Sequence, residues 1–90
     1  MSVAETAETR EIIVYSASWC GDCRRARRVL DRVGARYRWV DVDEDERAAR
    51  HVVRINGGRR VVPTIVFPDG SVLIEPSDEE LSAKLAGRIG

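Results

Sequence analysis

Both cysteines of the chain lie in one short motif, Trp19-Cys20-Gly21-Asp22-Cys23, with the spacing Cys-x-x-Cys. The motif follows the β-rich run of residues 12–16, which predicts a strand that leads through a turn into a helix. Cys20 then lies at the helix N-terminus, where unpaired N–H groups and the helix dipole favour a thiolate over a thiol. Cys23 lies one turn further on, on the same side of the helix. An attacking and a resolving sulfur are what dithiol exchange requires.

The same two cysteines are also compatible with half of a zinc site. Zinc in proteins takes four ligands, and His51 is the only other obvious soft donor in the chain. His51 lies in the middle of a predicted helix without an acidic partner, so the pattern predicts a surface position for it. We therefore expect no metal site in a single copy of the chain.

Length, charge and composition narrow the class of protein. Fifteen basic and fifteen acidic residues give zero net charge, which offers no argument for a nucleic-acid or membrane partner. No segment approaches the roughly 20 apolar residues of a transmembrane helix. Residues 1–10 lack the pattern of a secretory signal and are predicted to be a flexible tail before one domain of residues 11–90. Without an export signal we expect the reducing cytoplasm, where a lone Cys-x-x-Cys pair is more often catalytic than structural.

The elements that must position the cysteines follow from the spacing of apolar residues. After the first strand, apolar residues at positions 26, 29, 30 and 33 form the stripe of an amphipathic helix, which ends at Gly34. Residues 37–42 predict a second strand. Asp43 with Glu46 fits a capping box that opens a second helix, and residues 56–58 (Asn-Gly-Gly) end it.

The C-terminal third predicts a hairpin and a last helix. Residues 61–67 are typical of a strand interrupted early by Pro63, and a tight Pro-Asp-Gly turn leads to a fourth strand over 71–74. Ser77 with Glu80 forms another capping box at the start of the last helix. The order is βαβαββα. Helical crossovers join parallel strands and the hairpin joins antiparallel ones, which predicts an α/β fold with a four-stranded mixed sheet and helices on both faces.

In these features residues 11–90 resemble the thioredoxin superfamily and, within it, the glutaredoxin branch. The resemblance is carried by the strand–Trp-Cys-Gly-Asp-Cys–helix unit, the run Val61-Val62-Pro63-Thr64 and the helix start Pro76-Ser77-Asp78. The small size and the apolar Val14, where thioredoxins have a buried aspartate, favour glutaredoxins. With Asn-Gly-Gly at 56–58 and Asp-Gly-Ser at 69–71, the pattern is most similar to the mycoredoxins. The resemblance implies a thioredoxin-like (glutaredoxin) fold.

The same resemblance implies an enzyme that reduces mixed disulfides between proteins and a small thiol. Mycoredoxins use mycothiol in place of glutathione, so mycothiol is the expected co-substrate, ahead of glutathione, with no bound cofactor. The expected partners are this thiol and thiolated or disulfide-containing proteins, and the protein is expected to be a monomer. Two alternatives stay open. One is an electron donor to ribonucleotide reductase that thioredoxin reductase recharges, and the other is a non-enzymatic dimer bridged by an iron–sulfur cluster through Cys20.

Roles for the site residues also follow from the resemblance. Cys20 is the expected nucleophile, and Cys23 the resolving cysteine, which a second small-thiol molecule can replace. Pro63 is expected to be cis and to face Cys20, so that the backbone of Val62 can bind an extended substrate. The other expected substrate-binding residues are Trp19, Asp22, Arg60, Ser77 and Asp78.

Several of these residues have a structural alternative. Trp19 is expected beside Cys20, but it could pack against the last helix, and Arg60 could be solvated. Ser77 serves as a helix cap in either case. Asp22, where glutaredoxins commonly have an aromatic residue, and Ala17, where many have a basic one, depart from the family pattern. Both departures bear on the identity of the small thiol.

Overall fold

The chain alternates strands and helices in the predicted order βαβαββα. A computed structural model describes residues 11–89, and the predicted tail of residues 1–10 lies outside them. The elements are β1 (Ile12–Ser16), α1 (Gly21–Arg32), β2 (Tyr37–Asp41), α2 (Glu46–Ile55), β3 (Thr64–Val66), β4 (Val72–Ile74) and α3 (Asp78–Ile89). None of the helices over residues 11–89 combines the length and apolarity needed to cross a membrane.

The four strands form one mixed sheet in the order β2-β1-β3-β4. β1 runs parallel to β2, with Tyr15 opposite Val40, and antiparallel to β3, with Val14 opposite Ile65. β3 and β4 form the predicted antiparallel hairpin. Val14 and Ile65 are fully buried, as expected for the inner strands of a sheet covered on both faces. The predicted α/β architecture is confirmed. The prediction that helical crossovers join parallel strands holds for β1 and β2 but is wrong for β2 and β3, which α2 joins and which run antiparallel because β3 pairs with the other edge of β1.

The helices cover both faces of the sheet, as predicted. α1 and α3 pack on one face and bury nine residues there: Ile12, Val14, Ala26, Val29, Leu30, Ile65, Phe67, Leu81 and Leu85. α2 covers the other face with a smaller cluster of Tyr15, Val42, Ala48 and Val52. Each fully buried Leu, Ile or Phe contributes roughly 1.5–3 kcal/mol. The larger core therefore fixes α1, the helix that carries both cysteines, firmly against the sheet.

The ends of α1 and α3 lie where their sequence signals place them. After α1, Gly34 adopts a φ of 71°, and the N–H groups of Gly34 and Ala35 donate to the carbonyls of the last helical turn. At the start of α3 the capping box forms in both directions. The Ser77 N–H donates to Glu80 Oε1 at 2.8 Å, and the Glu80 N–H donates to Ser77 Oγ at 3.0 Å.

The predicted start of α2 is wrong by two residues. The N-cap is Asp45, whose Oδ1 accepts the N–H of Ala48 at 3.1 Å, and not Asp43. Asp43 lies in the preceding turn, where its N–H donates to Asp41 Oδ1 at 2.8 Å. Residues 41–46 contain several acidic side chains, and more than one of them could cap a following helix. Asp43 does not cap α2 because its carboxylate contacts Trp19 and Arg60.

Three strands are shorter than predicted. β2 ends at Asp41, and β4 begins at Val72. β3 is confined to Thr64–Val66 instead of spanning residues 61–67. Pro63 has no N–H to give to a ladder, so pairing starts only after it. The segment before Pro63 is thereby left free of the sheet and beside the cysteines.

Candidate active site

Cys20 is the N-cap residue of α1. Its backbone is extended, and its Sγ accepts the N–H of Cys23 at 3.1 Å, a position usually filled by a serine, threonine or aspartate oxygen. The residue is 5% exposed. An acceptor at a helix N-terminus binds more strongly when it carries negative charge. The sulfur of Cys20 thus occupies the capping position at the start of α1, where the N–H groups of the first turn converge.

Cys23 has a different environment, three residues away. It has no exposed surface and packs with Cys20 and Ala17. Burial, followed by the hydrogen bond with the Cys20 side chain, raises the pKa of Cys23 to about 12, although the backbone of Ala17 acts in the opposite direction. Cys23 is thus a neutral thiol at physiological pH. Ala17 is also buried, and its methyl group offers a ligand no polar contact.

The segment around Pro63 faces Cys20 through its backbone. The Val62–Pro63 peptide bond is cis, as predicted. The thiol of Cys20 donates to the carbonyl oxygen of Val62 over 4.0 Å. The Pro63 carbonyl in turn accepts the N–H of Glu75 at 2.9 Å, which joins this segment to the end of β4. The chain before β3 thus borders the nucleophile with main-chain polar groups.

An open groove of about 450 Å³ passes Cys20, and we call it the redox groove. It is lined by Trp19, Cys20, Gly21, Asp22, Arg59, Arg60, Val61, Val62 and Glu75. Four of the predicted substrate-binding residues, Trp19, Asp22, Arg60 and Val62, therefore meet at the nucleophile. Pro63 lies behind this surface and is buried. Ser77 and Asp78 do not line the groove.

Asp43 joins two walls of the redox groove. The indole Nε1 of Trp19 donates to Asp43 Oδ2 at 2.8 Å. Arg60 forms an ion pair with the other carboxylate oxygen and also donates to the Val42 carbonyl at 3.0 Å. Trp19 is 69% exposed and stands at the groove instead of packing on α3. The charge of Arg60 is committed to Asp43, which sequence reasoning assigned only to a helix cap.

Arg25 connects the start of α1 to the start of α3. Its Nη1 lies 2.9 Å from Asp22 Oδ1, and its Nε lies 3.0 Å from Asp78 Oδ1. Asp78 therefore reaches the cysteine motif only through Arg25, and Ser77 is engaged in the capping box. Ser77 and Asp78 therefore lie outside the lining of the redox groove, because these contacts hold both side chains at the first turn of α3.

Arg59 and Glu75 are groove residues that sequence reasoning missed. Over residues 11–89, neither side chain has an ion pair or hydrogen-bond partner, and both are exposed. Glu75 has a φ of 48°, a left-handed conformation that is uncommon for residues other than glycine. Because Glu75 precedes a proline, the sequence predicts an extended backbone there. Arg59 is one of many arginines, and no local pattern distinguishes it.

His51 lies away from the cysteines, at the surface of α2 as predicted. Its ring contacts that of Tyr15, with centroids 5.7 Å apart. Among residues 11–89, no three histidine, cysteine, aspartate or glutamate side chains are grouped as a metal ion would require.

Comparison of the sequence with known proteins identifies the family of this chain. A sequence model of the glutaredoxin family matches residues 12–73. The chain belongs to the glutaredoxin family. A Mycobacterium tuberculosis protein that carries the glutaredoxin name is 43% identical over 77 residues, which cover 86% of this chain and 92% of the relative. Mycoredoxin 1 of Corynebacterium glutamicum is 38% identical over 74 residues, which cover 82% and 91%.

Solved structures give the same assignment of fold. A glutaredoxin of Archaeoglobus fulgidus superimposes with a TM-score of 0.74 at 22% identity, covering 94% of this chain and 96% of the other. A glutaredoxin of Methanosarcina mazei Go1 reaches a TM-score of 0.71 at 26% identity, covering 86% and 79%. The predicted thioredoxin-like fold, glutaredoxin family and enzyme class are confirmed. This glutaredoxin-family chain is a thiol–disulfide oxidoreductase.

Proposed function

We propose that this glutaredoxin-family enzyme reduces mixed disulfides between proteins and mycothiol, with Cys20 as nucleophile and Cys23 as resolving thiol. The observation that carries the proposal is the contrast between the two sulfurs. Cys20 caps α1 at the edge of an open groove, and Cys23 is buried as a neutral thiol. An available nucleophile and a withheld second thiol suit exchange with mixed disulfides, in which the second thiol is optional.

The first step transfers the small thiol to Cys20. The Cys20 thiolate attacks the sulfur of the small thiol, a new S–S bond forms, and the bond to the substrate protein breaks. The substrate protein leaves as a thiolate and takes a proton from solvent. The cap donated by the Cys23 N–H holds the attacking sulfur at the groove, and the Val62 backbone is the proposed contact for an extended substrate.

The second step can take either of two routes. A second small-thiol thiolate attacks the sulfur bonded to Cys20, which forms the disulfide of the small thiol and restores the Cys20 thiolate. Alternatively, Cys23 loses its proton and attacks Cys20 Sγ, which closes the Cys20–Cys23 disulfide and releases the small thiol. Both routes move two electrons. The high pKa of Cys23 favours the first route at neutral pH.

The charges of the redox groove support mycothiol ahead of glutathione. Arg60 is paired with Asp43 and Asp22 with Arg25, so Arg59 and Glu75 are the groove charges left uncommitted within residues 11–89. Glutathione brings two carboxylates, and Glu75 repels both. Mycothiol lacks the γ-glutamyl group and carries sugar hydroxyls, which donate to a carboxylate and accept from a guanidinium. The likeness to Mycoredoxin 1 supports the same choice.

The remaining contacts and the setting are part of the same proposal. Trp19 offers a flat, exposed surface to the substrate, and Ser77 and Asp78 act from the first turn of α3, Asp78 through Arg25. Residues 11–90 act as one domain. The protein works as a monomer in the cytoplasm, with no bound cofactor.

Parallel turnover of two mixed disulfides tests the proposal. The same substrate protein is loaded with mycothiol or with glutathione, and each reaction is supplied with its own recycling thiol and reductase. We expect kcat/KM for the mycothiol substrate to be higher by at least about tenfold, the scale of one lost charged contact. Equal turnover of both substrates contradicts the mycothiol assignment. Electron uptake from thioredoxin reductase alone would indicate the ribonucleotide reductase donor, and a brown, cluster-bearing dimer the iron–sulfur protein.

A further inference from the structure

A second groove lies beside α2, over β1 and β2. It has a volume of about 540 Å³ and shares no lining residue with the redox groove. We call it the basic groove because four arginines line it, Arg38 from β2 and Arg47, Arg50 and Arg54 from α2. Asp45 is its one lining carboxylate, so four arginines and one aspartate leave a formal excess of three positive charges, one of which is paired with Glu11.

The three arginines of α2 are uncommitted. Along the described chain, Arg47, Arg50 and Arg54 have no ion pair and no hydrogen bond, whereas Arg38 pairs with Glu11 at 3.7 Å. Their spacing of three, four and seven residues places them on one side of the helix, where like charges repel and destabilise it. The chain as a whole has zero net charge. The cluster is therefore a local concentration of positive charge, which an anionic ligand would stabilise.

Tyr15 adds a hydrogen-bond donor to the same groove. The residue as a whole is 8% exposed and lines the groove, and its hydroxyl has no hydrogen-bond partner within residues 11–89. No buried side-chain nitrogen or oxygen among these residues lacks a partner, so the unpaired hydroxyl lies at the surface of the groove, where a ligand oxygen can reach it. Burial of the side chain, followed by the charge of Asp45, raises the pKa of Tyr15, and Arg38 has the opposite effect. The hydroxyl therefore stays protonated and can donate a hydrogen bond to that oxygen.

We propose that the basic groove binds a small polyanion with two or three linked phosphate groups. Guanidinium groups match phosphate oxygens with two parallel hydrogen bonds, and the volume is that of a small-ligand pocket. A diphosphate or triphosphate carries roughly three to four negative charges, since each phosphate contributes one or two. That charge balances the lining of the groove. Tyr15 donates to one phosphate oxygen, and the arginines of α2 bind the others.

A nucleic-acid strand fits the groove less well. Single strands bind proteins by stacking their bases on exposed aromatic rings. Tyr15 is buried, and the exposed ring in the lining, His51, already contacts Tyr15 with its centroid 5.7 Å away. The proposal does not depend on the identity of the small thiol, because the two grooves have no lining residue in common.

Calorimetric titration of the full chain with inorganic tripolyphosphate and, separately, with ATP tests the proposal. We expect saturable binding of one ligand per chain. Arg47→Gln with Arg54→Gln should raise the Kd at least about tenfold, because two charge-assisted contacts are lost. Tyr15→Phe keeps the ring packing and should raise it about threefold to tenfold. Equal affinity for tripolyphosphate and ATP would show that the groove recognises the phosphates alone. Tighter binding of ATP would show that the groove also contacts the nucleoside.

The matched control is Arg28→Gln with Arg32→Gln on α1, which removes the same charge from an exposed face outside both grooves. We expect its Kd to stay within about twofold of the unmodified protein. Equal weakening by both double variants would show unspecific attraction and overturn the proposal, as would the absence of saturable binding. Displacement of tripolyphosphate by a single-stranded RNA that binds far more tightly would also overturn it, in favour of a nucleic-acid surface. Unchanged disulfide exchange confirms that each variant is folded.

Discussion

The redox groove and the basic groove use arginine in opposite ways. In the redox groove, Arg60 is fixed by Asp43, and Arg25, behind the cysteine motif, is fixed by Asp22 and Asp78. In the basic groove, the arginines of α2 have no partner within residues 11–89. Paired arginines hold neighbouring side chains in place, whereas unpaired ones remain available to a ligand. With the exception of Arg59, the arginines at the redox groove thus hold its walls in place, whereas those of α2 form the proposed anion site.

This difference implies that the two grooves respond to different changes. Exchange at Cys20 depends on the position of one sulfur and its walls, so it should be sensitive to single substitutions and weakly sensitive to salt. Binding in the basic groove depends on exposed charges, so it should weaken steeply as salt screens them.

The largest expected effect is that of replacing either cysteine with serine, which distinguishes the roles of the two sulfurs and of the two grooves. Cys20→Ser should lower turnover of protein–mycothiol mixed disulfides by at least about a thousandfold, because the attacking thiolate is absent. Cys23→Ser should retain turnover through the second-thiol route. Neither change should alter tripolyphosphate binding. If Cys23→Ser is as inactive as Cys20→Ser, the reaction is obligatorily dithiol and closer to that of thioredoxins.

The pH dependence of ring closure should be the next largest effect. Burial is the main cause of the raised pKa of Cys23, about 12. We expect this burial to persist when Cys20 carries a small thiol. Below that pH the thiolate fraction of Cys23 rises with pH, so closure of the Cys20–Cys23 disulfide should accelerate about tenfold per pH unit. Stopped-flow release of the small thiol from pre-loaded protein measures this rate. A plateau near neutral pH would contradict the burial of Cys23 as its controlling feature.

Asp43→Ala should have an intermediate effect, because it frees both walls of the redox groove. Loss of the contacts to Trp19 and Arg60 should lower kcat/KM about tenfold through poorer positioning of the substrate, and the indole N–H resonance of Trp19 should shift. Glu44→Ala is the matched control, since the neighbouring Glu44 side chain is exposed and lines neither groove. Equal kinetics for the two variants would mean that the Asp43 contacts do not shape the groove.

The smallest expected effect concerns the choice of thiol. Glu75→Gln removes the uncommitted carboxylate of the redox groove and should raise kcat/KM for the glutathione substrate about threefold to fivefold relative to mycothiol. Glu79→Gln, an exposed change in the first turn of α3, should leave the ratio unchanged. A drop in glutathione turnover would indicate that Glu75 binds the ammonium group of glutathione instead.

Local sequence signals predicted the parts of the site that depend on near neighbours. The position of Cys20 at a helix start, the end of α1 at Gly34 and the Ser77–Glu80 capping box all follow from spacings of a few residues. The parallel pairing of β1 with β2 follows from the connection rules, but the antiparallel direction of β3 and its place beside β1 do not. The cis bond before Pro63 was available only through the family resemblance.

Contacts between residues far apart in the chain could not be predicted from the spacing of residues in the sequence. Asp43 meets Trp19, 24 residues away, and this tertiary contact outweighs its fit to a capping pattern. Arg59 and Glu75 reach the same groove from two different loops. Arg25 and the capping box hold Asp78 and Ser77 outside the lining of this groove. Such side chains are placed by the packing of whole elements, which residue spacing does not encode.

The sulfur cap of α1 makes the redox state of Cys20 visible in the amide hydrogen exchange of its own helix. The Cys23 N–H is protected by its bond to Cys20 Sγ. The neutral sulfur of a mixed disulfide is a weaker acceptor than the thiolate of the proposed mechanism. Helix caps contribute about 1 kcal/mol, so the first turn of α1 should open roughly fivefold more often after thiolation. The deuterium uptake of a single amide would then report how much of the enzyme is loaded.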